Sequence, residues 1–413
     1  MTSIMSNPAS RFILRSAETW RDPFECYRAL RDEAPVHRVV PDDNPDSDYY
    51  VLSRYEDVAA AAMNSSDFVS GGGLTVTYNE LEAIGMQDNP PMVMLDPPVH
   101  TRFRKLVSRG FTPTQVREVE PLVREFVRDR LSQIRTGEDL NIVEHLFKPL
   151  PSMVVAHYLG VPDQDRAQFD RWTESIVGAN PGGDLAAAMV TAADAVGEMS
   201  GYFAGLIERR RVEPGDDTVS HLVAAGLADN PDDDPSGLLS ILAFTFTMVA
   251  GGNDTTTGML GGAAELLSTH PDQRRELVEQ PDLLPEAIEE FLRLTSPVQG
   301  LARMTSTDVD VADHSIPRGR KVLLLYASAN RDERRWGDHA ADLDIHRAPQ
   351  QILTFSKGAH HCLGAAAARL QARVALDELL AAFPEFEVDV AGIEYAEGNY
   401  VRRPTVVPMR MSR

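Results

Sequence analysis

Phe355-Ser356-Lys357-Gly358-Ala359-His360-His361-Cys362-Leu363-Gly364 runs straight into Ala365-Ala366-Ala367-Ala368-Arg369 and then a long stretch with apolar residues at helical spacing. Cys362 therefore stands at the end of a glycine-bent loop and the start of a helix, where free backbone N–H groups and the positive end of the helix dipole favour a thiolate. A thiolate is what a soft metal centre requires. Zinc does not fit, because His360, His361 and Cys362 are contiguous and cannot all converge on one ion, and no further Cys or His pair has finger spacing. An iron–sulfur cluster normally takes four cysteines, and the chain has two, Cys26 and Cys362. An axial thiolate on haem needs only one. On these residues alone a buried inert cysteine and a redox nucleophile also stay open, the latter without a resolving partner or a triad signature.

Working outward, the chain has 413 residues, 43% apolar and 25% charged, which is the composition of globular material able to bury a large core. Its 40 Lys and Arg against 62 Asp and Glu give a formal charge of −22. Such a surface repels phosphate backbones and anionic lipid, so neither nucleic acid nor a membrane face is expected as the main partner. Two cysteines far apart make no disulfide framework and suit a reducing compartment. Met1 to Trp20 carries polar and charged residues every few positions, with no signal-peptide or anchor run. The longest apolar stretch, Ile241 to Ala250, is too short to span a bilayer, and a cytoplasmic protein without membrane insertion is expected.

No solenoid or propeller period is present. Tyr49 to Ser53 and Lys321 to Tyr326 read as strands, while Pro121 to Ile134, Gly201 to Arg211 and Leu363 to Phe383 read as helices. Loops are expected at Ser70 to Pro98, Asn180 to Gly183 and Asp229 to Gly237. The last launches one helical pattern to about His270, long enough at ~1.5 Å per residue to cross the molecule. Gly251-Gly252 and Asn253-Asp254-Thr255-Thr256-Thr257 sit in its middle, where glycine costs about 1 kcal/mol relative to alanine and the others are poor helix formers. Three readings are open: a close helix crossing, a break between two helices, or a groove that admits a ligand beside an acid and a hydroxyl.

The spaced set Phe355, Gly358, His360, Cys362 and Gly364 resembles the haem-binding loop of the cytochrome P-450 superfamily, Phe-x-x-Gly-x-His/Arg-x-Cys-x-Gly. Glu290-Phe291-Leu292-Arg293 is similar to the family's Glu-x-x-Arg helix, and Arg347 takes the place of its third member, although Leu343 stands where an aromatic is frequent. Asp96 to Arg104 resembles the helix and preceding loop that face the haem edge. Gly251-Gly252-Asn253-Asp254-Thr255 resembles the oxygen-binding groove of the long helix. The motifs cover nearly the whole chain in family order and look closest to soluble actinobacterial members, in particular the mycobacterial family numbered one hundred and thirty.

The resemblance implies a mainly α fold with small β-sheets, an α+β cytochrome P-450 fold forming one haem domain over 1–413 with a short tail to about residue 18. It implies haem b held by Cys362, with Phe355 and Gly364 in its loop, Gly251 opposite, and His100, Arg104, Arg303 and His360 as propionate partners. Glu290, Arg293 and Arg347 become structural braces. Thr255 becomes the hydroxyl of the oxygen groove and Asp254 the proton relay, since a helical Thr255 hydroxyl can reach the Gly251 carbonyl. Phe244, Thr247, Met248, Gly251, Val298, Leu301 and Tyr400 would line the substrate pocket, with the Tyr78 to Met94 loop, the Ile176 to Met189 region and Asn399 to Val401 beside them. These residues are mostly apolar, which suggests a lipophilic small molecule and makes azole-type inhibitors plausible.

The implied activity is insertion of one oxygen atom from O2. No nucleotide-binding glycine fingerprint follows a strand, so electrons are expected from a ferredoxin and an NAD(P)H-dependent reductase. Lys357, Arg109, Arg369 and Arg373 are the residues expected to form a basic docking face for the ferredoxin. A peroxide-driven haem-thiolate enzyme and a non-enzymatic haem-binding sensor are the alternatives.

Overall fold

The structure is a computed structural model that describes residues 12–412 apart from 43, 84, 179–189, 191 and 228–235. The helices that bear on the site are α1 (Val99–Val107), α2 (Pro113–Ser132), α3 (Pro149–Tyr158), α4 (Ser236–Thr269), α5 (Leu284–Thr295) and α6 (Ala365–Ala382). Strands β1 (Val36–Val39), β2 (Tyr49–Leu52), β3 (Phe68–Val69), β4 (Leu301–Thr305) and β5 (Lys321–Leu324) form a sheet in the order β1-β2-β5-β4-β3. Its β2–β5 pair is parallel, with Tyr50 opposite Val322, and the other pairs are antiparallel. Pro408–Ser412 joins Asp139–Asn141 to Glu385–Val388, and β6 (Glu394–Tyr395) pairs with β7 (Pro404–Val406). The expected class, mainly α with small sheets, is the observed one.

Local signals explain the boundaries. Helix α2 begins at Pro113, well before the expected Pro121, because Thr112 caps it by accepting from the Gln115 N–H while the Gln115 side chain reaches back to the Thr112 N–H. Pro121 is carried inside the helix. Val116, Val119, Val123, Val127 and Leu131 recur at three- and four-residue steps and are buried, so α2 lays one apolar stripe into the core that it shares with α6. Lys321 to Leu324 is the strand expected there, but Tyr326 already opens a short helix, Tyr326–Ala329. The Ser70 to Pro98 stretch holds two short helical pieces, Glu80–Ala83 and Met92–Met94. The Asn180 to Gly183 loop lies outside the described residues, as do 229–235 of the acidic loop and 179–189 of the expected pocket wall; Ser236 and Gly237 are already in α4.

Helix α4 runs unbroken through its glycines. By length and composition alone it could cross a bilayer. Here Met259, Leu260, Ala263, Ala264 and Leu267 enter one hydrophobic cluster with α2, α5 and α6, while Ile241, Phe244 and Val249 enter a second with Phe169 and Phe203. The helix thus joins the two halves of the core. A Cβ on Gly252 would lie 2.7 Å from Val155 Cγ2, so this glycine permits the crossing with α3, whereas a Cβ on Gly251 would meet nothing within 4 Å. The crossing reading holds for Gly252, the break between two helices does not, and Gly251 faces open space.

Candidate active site

The cysteine loop is built by backbone constraints. Gly358 has φ +69°, and a Cβ there would stand 2.8 Å from the Ala62 carbonyl oxygen, so only glycine fits this turn. Ser356 N–H donates to Leu353 O, His361 N–H to Gly358 O, and Cys362 N–H to Phe355 O at 2.9 Å. Cys362 is exposed, and Gly364 caps α6 directly after it. Phe355 is half-buried with the Arg369 guanidinium 4.6 Å from its ring centre. One expectation is corrected. The helix start does not leave a low thiol pKa: desolvation pushes Cys362 up, against the Gly364 N–H, Arg104 and Arg369, which favour the thiolate. A bound cation would supply what the loop lacks, because coordination deprotonates a thiol outright.

The residues expected at the haem edge converge. His100 and His360 rings lie 4.1 Å apart, and His360 Nε2 sits 3.0 Å from Ser70 Oγ. Arg104 donates to the His361 carbonyl, and Arg303 is 5% exposed with a bond to the Ala302 carbonyl. Burial, with Arg303, His100 and Arg104 adding to it, holds His360 down to about 3. Burial lowers His100 as well, with Arg104 and Arg303 against Asp96. Asp96, the acid that acts on His100, is already engaged by the N–H groups of Ser70 and Gly71. His100 is 1% exposed and neither ring nitrogen has a hydrogen-bond partner. A buried imidazole whose N–H lacks an acceptor, set beside the Arg104 and Arg303 guanidiniums, suits an anionic partner that accepts from all of them. Two propionates are such a partner, and an exposed single cysteine fits an axial ligand. The residues present therefore fit haem. Among the described residues no three His, Cys, Asp or Glu form another metal-binding group.

On α4, Thr255 Oγ1 donates to Gly251 O at 2.9 Å, the back-bond expected from the sequence. Ala250 and Gly251 are exposed although they lie in mid-helix. The poor helix formers that follow bond back to the helix backbone: Asn253 Nδ2 donates to Val249 O, and the Thr257 hydroxyl lies within reach of both Asn253 O and, outside the helix, Phe147 O. Asp254 Oδ1 stands 2.9 Å from Arg403 Nε. Burial pushes its carboxyl up to about 6, while Arg403 and Lys148 pull the other way. Arg403 was not among the residues expected from sequence, since nothing in its neighbourhood of the chain marks it.

Glu290 and Arg293 are both 0% exposed, joined by Nε and Nη2 bonds of 2.7 Å, and Arg347 Nε adds a third at 3.0 Å. Arg293 Nη1 also donates to the Asn330 and Ala340 carbonyls, tying α5 to the segment before the cysteine loop. Of the expected pocket residues, Thr247, Met248, Val298, Leu301 and Tyr400 are half-buried, and Val298 bridges Val401. Phe244 is 2% exposed, with its ring centre 6.1 Å from that of Phe103. Tyr400 Oη accepts from the Val76 N–H, which pins the Ser70 to Pro98 stretch to the Asn399 to Val401 turn. Three of the four residues expected at the basic face have partners within the chain. Arg369 is paired with Glu289 and Arg373 with Glu120, and Lys357 donates to Tyr55 and Gln351. Arg109 is exposed, and sequence reasoning missed Arg102 and Lys105, exposed at helical spacing before it on α1.

Comparison with known proteins agrees with this geometry. The sequence profile of the cytochrome P450 family matches residues 18–393. Cytochrome P450 130 of Mycobacterium tuberculosis is 62% identical over 412 residues, covering 100% of each chain. The vitamin D(3) 25-hydroxylase of Pseudonocardia autotrophica is 36% identical over 96% of each. Among solved structures, the cytochrome P450 of the Bacillus subtilis bacillaene polyketide synthase superposes with a TM-score of 0.83 at 28% identity, covering 97% of this chain and 100% of that one.

Proposed function

The chain belongs to the cytochrome P450 family of haem-thiolate monooxygenases, and from that premise we propose that it is a single haem domain, 1–413, that hydroxylates or otherwise oxygenates a lipophilic small molecule with electrons from a ferredoxin and its NAD(P)H-dependent reductase. The observation that carries the reading is the pairing of an exposed Cys362 at the head of α6 with a buried, partnerless His100 among Arg104, Arg303 and His360. Haem b, when bound, supplies activation of O2 and oxygen insertion.

The chain's residues do the rest. Cys362 would supply the sulfur ligand to the haem iron, and His100, Arg104, Arg303 and His360 would hold the propionates as charged or neutral donors. Thr255 presents its hydroxyl on the open face of α4, beside the Gly251 carbonyl that it bonds. Asp254, with a carboxyl at about 6, exchanges its proton near neutral pH and can serve as the relay between solvent and Thr255. Thr247, Met248, Val298, Leu301 and Tyr400 form a mostly apolar wall, which favours a lipophilic substrate and admits azole-type inhibitors. The exposed cations Arg102, Lys105 and Arg109, with Lys357, favour an acidic electron donor. A charge of −22 argues for a cytoplasmic protein away from anionic lipid.

The test is turnover with a ferredoxin pair against turnover with peroxide, on substrates first selected by a spin-state shift. Product with the ferredoxin system, falling with added salt, supports the reading. Product with peroxide alone reverses it in favour of a peroxide-driven enzyme. Efficient reduction with no substrate-dependent O2 uptake across broad lipophilic libraries favours a sensor.

A further inference from the structure

The segment Val401-Arg402-Arg403-Pro404, leading into β7, lies along α4 one turn beyond Asp254. Two glycines let it approach. A Cβ on Gly258 would stand 2.8 Å from Arg402 O and 3.7 Å from Arg403 Cα, and a Cβ on Gly261 would stand 2.5 Å from Pro404 Cγ. The backbone of this strap is pinned on both sides, with Arg402 N–H donating to Pro297 O at 2.8 Å and Arg403 O accepting from Ala396 N–H at 2.9 Å. Successive side chains of an extended segment point to opposite sides. Arg402 accordingly turns one way, to the Trp20 carbonyl, the Tyr395 hydroxyl and Glu265, and Arg403 turns the other way, to Asp254.

The Asp254 side chain is 20% exposed and that of Arg403 11%. Arg403 Nε is buried and has no aligned hydrogen bond, so its contact with Asp254 is an ion pair rather than a satisfied donor–acceptor bond. An ion pair of this kind holds the carboxylate beside the guanidinium and leaves its lone pairs free for other donors. The other cation facing Asp254 is Lys148, whose ammonium is engaged by Glu174 at 2.8 Å. Asp254 and Gly258 are four residues apart and share one face of α4. The glycine that seats the strap and the acid that the strap holds therefore act as one unit.

We infer that Arg403 is the positioning residue of Asp254: delivered by a strap seated on Gly258 and Gly261, it sets the direction of the carboxylate and the pH at which it takes up a proton. The inference rests on the proposed role of Asp254 as relay only for its consequence in turnover, not for the pairing itself. An opposite charge within ~4–6 Å lowers a carboxyl by about 1–3 units, so loss of Arg403 raises the midpoint of Asp254 by about one pH unit or more.

The test is a pH titration of haem-loaded protein by difference infrared spectroscopy, following the protonated carboxyl band that disappears in D254N. In R403Q the midpoint of that band moves up by about one unit or more, and R403K, which keeps a cation, restores it to within about half a unit. G258A, which lifts the strap without touching either charge, moves it in the same direction as R403Q and keeps the test open if R403Q does not fold. An unmoved midpoint in R403Q or G258A, or failure of R403K to restore it, overturns the inference. The pH profile of product formed per reducing equivalent is read in parallel. If the infrared midpoint moves and this profile follows, both the pairing and the relay stand. If the midpoint moves and the profile does not, the pairing stands and the relay role of Asp254 falls.

Discussion

Replacing Glu290 by Gln keeps the shape of the side chain and removes its charge. In the structure this carboxylate accepts from Arg293 Nε and Nη2 at 2.7 Å, from Arg347 Nε at 3.0 Å and from the Asp344 N–H at 3.3 Å, with both Glu290 and Arg293 at 0% exposure. The glutamine leaves a fully buried guanidinium with two carbonyl acceptors and an amide that turns N–H toward N–H. Breaking one partner of a buried pair costs about 3–5 kcal/mol. At about 2.1 cal/mol/K of unfolding entropy per residue, 413 residues lower the midpoint by about 1 °C per kcal/mol, so E290Q melts about 4–6 °C below wild type. The adjacent Glu289 is the internal control. It pairs with Arg369 where the side chains are 25% and 37% exposed, and E289Q costs no more than about 1 kcal/mol, near 1 °C. The assay is thermal unfolding of both haem-loaded variants at one protein concentration, followed by circular dichroism and by haem absorbance. E290Q melting together with E289Q would refute the claim that this buried triad braces the fold.

Three further outcomes follow from the site. C362S abolishes the strongly red-shifted Soret band of the reduced, carbon-monoxide-bound protein, and persistence of that band in the variant would move the ligand elsewhere. T255V removes the hydroxyl but not the helix, so haem loading is unchanged while the rate of product formation falls about 100-fold, within the range for loss of a proton-delivering group; an undiminished rate would exclude Thr255 from proton delivery. Lys321 is 0% exposed, donates to the Gly72 and Thr75 carbonyls, and is pushed down to about 8 by burial, against Glu80. Because its folded value lies below the ordinary 10.5, the unfolded chain binds more protons between the two, and stability relative to K321M rises from pH 8 to 10.5 by at most about 3 kcal/mol. A stability difference that stays flat over that range would sink the assignment.

Much of the site was legible because its parts are local. The cysteine loop is a run of ten residues whose turn demands glycine at 358 and whose helix begins at 365. The Thr255 back-bond spans one helical turn, and the Glu290–Arg293 pair spans three residues, so spacing alone puts each pair within reach. Motifs of this kind survive translation from sequence because backbone geometry brings the partners together before any tertiary contact forms. The start of α2 failed for a related reason: Pro121 looked like an opening residue, but the Thr112–Gln115 capping box lies further upstream and sets the true start.

What the sequence determined by itself was the placement of the reactive groups, a single cysteine at a helix head and an acid beside a threonine on a long glycine-bearing helix, and the family resemblance that their spacing carries. The tertiary structure alone decided which charges remain available. Arg369 and Arg373 are spent on Glu289 and Glu120, Phe244 is turned into the core, the cations around His100 gather with no free acid among them, and Asp254 meets Arg403. Each of these is a contact between segments far apart in the chain, α6 against α5 and α2 for the two arginine pairs and the strap seated on Gly258 and Gly261 for Asp254, and such contacts leave no mark on the neighbouring sequence of the residues that they bring together.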